Sequence, residues 1–269
     1  MIKSIAKFIL FSGFNYFAIS SSALAISFVD LCQERNNLSP EVKLTIESIL
    51  KYAQTSSCSQ AETNIMRSKR LEIRAVGIQN LSPIKLLPSI EVLSLPKNKI
   101  SNIADLQYLT NLKTLELNHN QISDINPLSS LLNLNNLNLD KNRIYDTTPL
   151  QSLTKLTDLY LSDNLITDIK PLGSLTKLTI LGLTGNRITD ISSLRNMTDL
   201  IALSANRNQI SNISPLRFLT KLEKLFLKYN QITDIMTLQS LINLKVVSFR
   251  GNPIANKTCP FTDKDFCRF

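Results

Sequence analysis

The sequence predicts an α/β solenoid, in which successive coils of chain stack along one axis. One phrase of 22 residues recurs from Leu93 to Ile254. Leucines alternate with polar residues in each copy, as at Leu115 and Leu117, which is the two-residue period of a strand with one buried face. One residue type also holds eight positions spaced 22 residues apart: Asn98, Asn120, Asn142, Asn164, Asn186, Asn208, Asn230 and Asn252. A fixed period in the low twenties indicates coils that share one core.

Each repeat predicts a strand, an inward-facing stretch and a turn. The strand covers about three residues, and we place the strands in a parallel concave sheet of about nine. Aliphatic side chains then point inward as the chain bends back. Proline recurs after this bend, where its fixed φ and missing N–H suit the start of a convex 3₁₀ or short helical turn. These prolines are Pro83, Pro127, Pro149, Pro171 and Pro215.

The asparagine column has a physical task of its own. Each asparagine stands where the strand turns away, and its amide both donates and accepts hydrogen bonds. The bend leaves backbone groups without partners in the asparagine's own coil and in the adjacent coil, and burial makes such partners obligatory. We therefore expect a structural asparagine ladder that runs from Asn98 to Asn252.

The wording of the repeat resembles that of internalin-type leucine-rich repeats. One copy runs Leu115-Glu-Leu-Asn-His-Asn-Gln-Ile-Ser-Asp-Ile-Asn-Pro-Leu128, and the match extends from Leu71 to Ile254. The resemblance implies a leucine-rich-repeat horseshoe that acts as a recognition scaffold, with the ligand set by variable side chains. In layout, with paired cysteines at both ends, the chain is most similar to small exported leucine-rich-repeat proteins of cyanobacteria. A phosphatase-regulatory family shares the repeat length and is the alternative if the N-terminal segment is not a signal peptide.

Residues 1–25 are typical of a cleaved signal peptide. Two lysines give a positive start, an apolar run follows from Phe8 to Ile19, and Ala23-Leu-Ala25 forms a cleavage site. A retained membrane anchor is the alternative, but the apolar run is short for a transmembrane helix. We expect export to the periplasm or the extracellular space, with no membrane insertion after cleavage.

Residues 26–70 lack the repeat and predict a helical N-terminal cap. Ser39 and Pro40 mark the start of one helix, and Ser59-Gln-Ala-Glu62 is a capping box for a second. An apolar face of these helices would cover the exposed end of the array. The repeat array then spans residues 71–254, and residues 255–269 form the C-terminal cap.

Four cysteines lie outside the repeats, two in each cap. In an exported protein this even number predicts two disulfides, Cys32–Cys58 and Cys259–Cys267, the second of which closes the C-terminal cap. Zinc binding is the alternative, but the sequence has no C-x-x-C motif and its only histidine, His119, lies far along the array. We expect no metal and no cofactor.

The net charge of +9 comes from 30 lysines and arginines against 21 acidic residues. A basic balance raises the idea of nucleic acid or an anionic surface as a partner. Here the cations are interspersed with acids, and export separates the chain from most nucleic acid. We expect a monomer that binds a protein in preference to a glycan, and no nucleic acid.

Binding must use side chains that point out of the sheet. Near the C-terminal end of the array, the columns beside the leucines combine aromatic rings with cations at Arg207, Phe226, Lys228, Tyr229 and Arg250. A large ring on a solvent face is uncommon unless something covers it, and packing by neighbouring side chains is the alternative cover. These residues are the predicted partner-binding site.

Tyr160 joins the predicted site from a polar to acidic middle zone that also contains Glu116, Asp140 and Asp163. Gly182 and Gly185 predict a bare spot beside this zone, open to a ligand backbone or without function.

Enzymatic activity is not expected. Asp140, Asp163 and His119 are the candidate residues for a hydrolase, but no nucleophile, oxyanion site or phosphate-binding loop accompanies them. The sequence therefore predicts a non-enzymatic recognition scaffold. A structural envelope protein without a specific ligand is the alternative.

Overall fold

The computed structural model describes residues 26–255 and 258–261. Three helices come first, α1 (Phe28–Gln33), α2 (Pro40–Tyr52) and α3 (Cys58–Ser68). Nine strands follow: β1 (Arg70–Glu72), β2 (Val92–Ser94), β3 (Thr114–Glu116), β4 (Asn136–Asn138), β5 (Asp158–Tyr160), β6 (Ile180–Gly182), β7 (Ala202–Ser204), β8 (Lys224–Phe226) and β9 (Val246–Ser248). The predicted signal peptide, Cys267 and most of the predicted C-terminal cap lie outside the described residues.

The strands form one parallel sheet in chain order, in which each residue pairs with the residue 22 positions later. The predicted solenoid with about nine short strands is confirmed. Each strand begins one residue earlier than predicted, at Thr114 rather than at Leu115 in the third coil. Inter-coil bonding continues past the strand, since the Leu117 N–H donates to the Asn138 carbonyl. The backbone then turns at His119, where φ is 59°.

Eight 3₁₀ turns lie on the opposite, convex side of the coils and confirm the predicted convex turns. They are Ile84–Leu86, Ala104–Tyr108, Asn126–Ser130, Thr148–Ser152, Lys170–Ser174, Ser192–Asn196, Ser214–Phe218 and Met236–Ser240. A column that we did not predict supports them: the Asp124 carboxylate accepts the Asn126 N–H at 2.9 Å. The same bond is made by Asn102, Asp146, Asp168, Asp190, Asn212 and Asp234.

The space between the sheet and the turns is filled by aliphatic columns. Leu115, Leu117, Ile122, Leu128 and Leu131 are all fully buried in one coil. The equivalent residues of every coil join one continuous cluster that also includes the apolar faces of the helices. No single coil closes its own core, so the coils are stable only when stacked.

The N-terminal helices differ in part from the prediction. α2 begins at Pro40 after Ser39, as predicted. α3 begins at Cys58, with the Ser57 hydroxyl accepting from the Gln60 N–H, so the predicted capping box at Ser59 is wrong. Ser57 already has the extended backbone of an N-cap, with φ −83° and ψ 122°, and it starts the helix earlier.

The predicted Cys32–Cys58 disulfide is confirmed and links α1 to the start of α3. α1 itself was not predicted, although Ser27 and Asp30 form a capping box at its start.

Candidate functional site

The asparagine column binds backbone groups in two coils at once. Asn120 donates from Nδ2 to the Leu117 carbonyl of its own coil and to the Leu95 carbonyl of the preceding coil, at 2.9 and 3.0 Å. Its Oδ1 accepts the Ile100 N–H at 3.0 Å. This pattern repeats along the array and fixes the edge where each strand ends. That edge positions the outward-facing columns of the concave face.

The column immediately before each ladder asparagine has a left-handed backbone. Positive φ occurs at Ala75, Lys97, His119, Lys141, Asp163, Gly185, Arg207, Tyr229 and Gly251. The backbone turns away from the strand at this column, which we call the rim of the concave face. Both Arg207 and Tyr229 of the predicted site stand on this rim.

In the middle zone, the Asp140 carboxylate is hydrogen-bonded to the backbone. Its Oδ1 accepts the Ser162 N–H of the next coil, as Asn206 Oδ1 accepts the Lys228 N–H at 2.7 Å three coils later. Burial raises the pKa of the Asp140 carboxyl, and the hydrogen bonds from Ser162 oppose this only in part. The native state therefore pays a desolvation cost for a charge at this position.

Asp140→Asn is expected to raise the free energy of unfolding at pH 7, because an asparagine oxygen accepts the same N–H without a buried charge. Because the pKa of Asp140 is raised in the native state, its carboxyl loses the proton at a lower pH in the unfolded chain than in the folded one. The free energy of unfolding of the wild type therefore falls as pH rises. Well below the ordinary pKa of 3.8 both states keep the proton, so the advantage of asparagine should vanish. Urea unfolding of the wild type and of Asp140→Asn measures the gain at pH 7 and its disappearance at pH 3. Asp163→Asn, at an exposed position, is the control, and a loss of stability in Asp140→Asn at pH 7 contradicts the expectation.

His119 and Asp163, the other two residues of the hydrolase alternative, lie in the coils on either side of Asp140 and interact with it electrostatically. His119 Nδ1 lies 3.1 Å from the Asn118 amide. Burial, followed by the charges of Lys141 and Lys97, lowers the pKa of His119, which favours a neutral imidazole at pH 7. In the described part of the chain, no three His, Cys, Asp or Glu side chains are arranged as metal ligands.

The predicted bare spot at Gly182 and Gly185 is wrong. A β-carbon at Gly182 would stand 3.4 Å from the Tyr160 ring and 3.3 Å from the Ser162 hydroxyl, and Gly182 is buried. The Asp163 carboxylate occupies the space that a β-carbon at residue 185 would need. Side chains of the preceding coil therefore fill the space beside both glycines.

We call Arg207, Phe226, Lys228, Tyr229 and Arg250 the concave patch. Arg207, Tyr229 and Arg250 are exposed, with Tyr229 at 52%, whereas Phe226 and Lys228 are half-buried. Phe226 pairs across the sheet with Ser204 on one side and Ser248 on the other, both of them small residues. The Tyr229 ring packs on Gly251, at the position that a β-carbon there would occupy.

Tyr160 does not join this patch. It lies on β5, three strands from Phe226 on β8, which is about 14 Å at the usual spacing of strands. The Tyr160 ring is half-buried beside Gly182, and burial followed by Asp158 and Asp140 raises its pKa. It contributes to the middle zone instead.

Sequence reasoning missed one column of the concave face, the first residue of each strand. In β8 and β9 this column carries Lys224 and Val246, both exposed, with Val246 at 42%. The two-residue period placed these positions on the outward face, but the strand start was predicted one residue late. They extend the concave patch with one more cation and one more apolar side chain.

The parallel sheet, the 3₁₀ turns and the asparagine contacts together define a leucine-rich-repeat solenoid. The family descriptions "Leucine Rich repeats (2 copies)" and "Leucine Rich repeat" match residues 154–196 and 108–125. No curated protein matches the chain. Among solved structures, internalin C2 of Listeria monocytogenes is 32% identical, with 76% of this chain and 91% of that chain covered and a TM-score of 0.72. The chain belongs to the internalin-type leucine-rich-repeat family.

Two further structures resemble the chain over part of their own length. A leucine-rich-repeat protein of Leptospira interrogans is 29% identical, with 72% of this chain and 53% of that chain covered and a TM-score of 0.67. The chain thus spans about half of that protein. The leucine-rich-repeat ectodomain of a plant receptor kinase from Arabidopsis thaliana, in complex with Casparian strip integrity factor 2, is 21% identical. The match covers 70% of this chain and 25% of that chain, with a TM-score of 0.63, and shows a likeness in fold alone.

Proposed function

We propose that this protein is an exported, non-enzymatic recognition scaffold that binds a protein partner through the concave patch. The observation that carries the proposal is the cluster of Tyr229, Arg207 and Arg250, which are exposed beside the half-buried Phe226. Aromatic and arginine side chains dominate binding hot spots, because they offer large contact area and several hydrogen bonds for little lost conformational freedom.

The charge of the patch determines the kind of partner. Arg207, Lys224, Lys228 and Arg250 lie within three coils. Glu223, which precedes Lys224 in the chain, is already paired with Lys245 at 2.8 Å. A basic partner would be repelled, so the partner is acidic or amphipathic. Its association rate should fall as the salt concentration rises.

Export is supported by two separate features. The N-terminal segment has the charge, the apolar run and the cleavage site of a signal peptide. The Cys32–Cys58 disulfide belongs to an oxidising compartment. In residues 26–255 and 258–261, no helix has the length and apolar character needed to cross a membrane.

The combined change Phe226→Ala and Tyr229→Ala is expected to weaken capture of the native partner by at least about tenfold, equivalent to about 1.4 kcal/mol. The reason is the loss of two rings from the centre of the patch. The measurement is capture from the exporting cell with the mature protein as bait, followed by binding kinetics with the purified partner. Tyr145→Ala is the matched control, since Tyr145 is 65% exposed and lies outside the concave patch.

The melting temperature of the double variant should stay close to that of the wild type. If the variant unfolds instead, the rings are packing residues and the patch is not a binding site. If it folds and binds normally, the site belongs elsewhere, with the middle zone around Tyr160 as the next candidate.

A further inference from the structure

A second cluster of arginine and phenylalanine lies on the convex side, where the turns Ser192–Asn196 and Ser214–Phe218 are adjacent. The Arg195 and Arg217 guanidinium carbons stand 5.4 and 4.8 Å from the centre of the Phe218 ring. Both arginines are exposed, and Phe218 is 39% exposed. At these distances each cation is attracted to the ring, which holds the two guanidiniums near each other.

The repeat itself makes this cluster unexpected. In the column of Phe218, serine holds four of the eight positions and ties those coils to the coil before. The other members are Leu86, Tyr108 and Asn196. The hydroxyls of Ser130, Ser152, Ser174 and Ser240 donate to the carbonyls of Gln107, Ser129, Gln151 and Arg217, at 2.7 to 3.3 Å. Phe218 has no hydroxyl for the corresponding carbonyl of Arg195. This coil therefore gives up an inter-coil hydrogen bond and exposes a ring in its place.

The column of the two arginines departs from the repeat in the same way. Its other members are Lys85, Gln107, Ser129, Gln151, Gly173 and Gln239. Arginine occurs only at 195 and 217, the two positions that flank Phe218. The fold does not require any of the three residues, because neighbouring coils form the same turn without them.

The cluster borders a shallow cavity of about 220 Å³ that is also lined by the polar residues Ser192, Asn212 and Ser214. In the described part of the chain, no carboxylate lies within ion-pair distance of either guanidinium. The cavity is smaller than sites for whole small molecules, which measure roughly 300–1,000 Å³. It is suited to one inserted side chain.

We infer that this convex cavity binds a carboxylate side chain from an acidic segment of a partner protein. Guanidinium groups match a carboxylate with two parallel hydrogen bonds each, and the adjacent ring contacts the aliphatic part of a glutamate or aspartate. A polyanion such as a sulfated glycan fits less well. The turn-capping column carries exposed carboxylates at Asp190, on the coil of Arg195, and at Asp168 and Asp234, on the coils to either side of the pair. These charges repel extended negative charge and leave room for a single one.

The test uses a capped seven-residue peptide with alternating glutamate and leucine, and a second peptide with glutamine in place of glutamate. The reporters are the side-chain Nε–Hε resonances of arginine in the full chain. The signals of Arg195 and Arg217 should shift and saturate with the glutamate peptide, with at least fivefold weaker binding of the glutamine peptide. Arg143 and Arg187, which are exposed in the column that follows the ladder asparagines, are internal controls and should not move.

Phe218→Ser restores the serine of the repeat and its bond to the Arg195 carbonyl, so it should fold normally and weaken binding at least threefold. Arg195→Gln with Arg217→Gln should abolish saturable binding, measured by calorimetry. Phe226→Ala combined with Tyr229→Ala should change neither the arginine shifts nor the affinity for the glutamate peptide, which separates this site from the concave patch.

Three results would overturn the inference. Equal shifts with the glutamine peptide, or equal shifts at Arg143 and Arg187, would mean that no carboxylate site exists. Unchanged binding by Phe218→Ser would remove the ring from the site. Tighter binding of a heparin tetrasaccharide at the same two arginines would assign the cavity to sulfated glycans.

Discussion

Asn164→Ala is expected to lower the free energy of unfolding by about 3 kcal/mol. In the native chain, Asn164 Oδ1 accepts the Ile144 N–H at 3.0 Å, and Nδ2 donates to the carbonyls of Leu139 and Leu161 at 3.0 and 3.1 Å. Each of these carbonyls keeps one further asparagine donor, from Asn142 and Asn186 respectively. The Ile144 N–H keeps none in the buried interior. An unpaired buried donor costs about 1–3 kcal/mol, and each lost carbonyl bond adds about 0.5–1.5 kcal/mol.

The matched control is Asn252→Ala at the last ladder position. Asn252 makes the same three kinds of bond but is only half-buried, so water replaces part of what the alanine removes. We expect a loss of about 1 kcal/mol for this variant. Urea unfolding measures both, and hydrogen exchange at the Ile144 amide should accelerate in Asn164→Ala alone. Equal losses at the two positions, or none, would contradict the role of the ladder.

Removal of the Cys32–Cys58 disulfide is expected to cost about 3 kcal/mol. The bond joins residues 26 positions apart, and closing a loop of this size restricts the unfolded chain by about that amount in the chain-entropy account. Its loss frees α1 from α3 at the end of the array, where capping elements keep the first coil covered. Urea unfolding of Cys32→Ala, Cys58→Ala and the double variant measures the cost.

Both single variants and the double variant should agree within roughly 1 kcal/mol, because each breaks the same bond and leaves no more than a small cavity. Mass spectrometry of the wild type should find the two cysteines in one linked peptide. If the variants are as stable as the oxidised wild type, the disulfide does not stabilise the cap.

The sequence predicted the repeated parts of the fold well, because each element is specified many times over. The leucine alternation, the prolines of the turns and the 22-residue period all recur, so an error at one copy is corrected by the others. The N-terminal cap has no such redundancy. There the choice between Ser57 and Ser59 as the start of α3 depended on backbone geometry that a single capping pattern did not reveal.

The candidate site was less predictable, because it depends on departures from the repeat. Exposed aromatics among cations identified the concave patch in the sequence. The fate of Gly182 and Gly185 depended on which way the side chains of Tyr160 and Asp163 lean, which no periodicity encodes. Phe218 lies in a convex column, outside the strand columns from which the site was predicted, although its difference from the serines of that column is visible in the sequence.

The left-handed column at the concave rim has a consequence for how such a surface diversifies. Every residue except glycine is disfavoured in that backbone conformation, on the order of 1 kcal/mol each. Seven coils nevertheless carry a side chain there, among them Lys97, His119, Arg207 and Tyr229. At each rim position, mutation to glycine therefore relieves the backbone strain, and mutation from glycine to another residue adds a side chain that can contact a partner. A long array tolerates several such strained positions, so new binding specificities can arise at the rim one coil at a time without a change in the core.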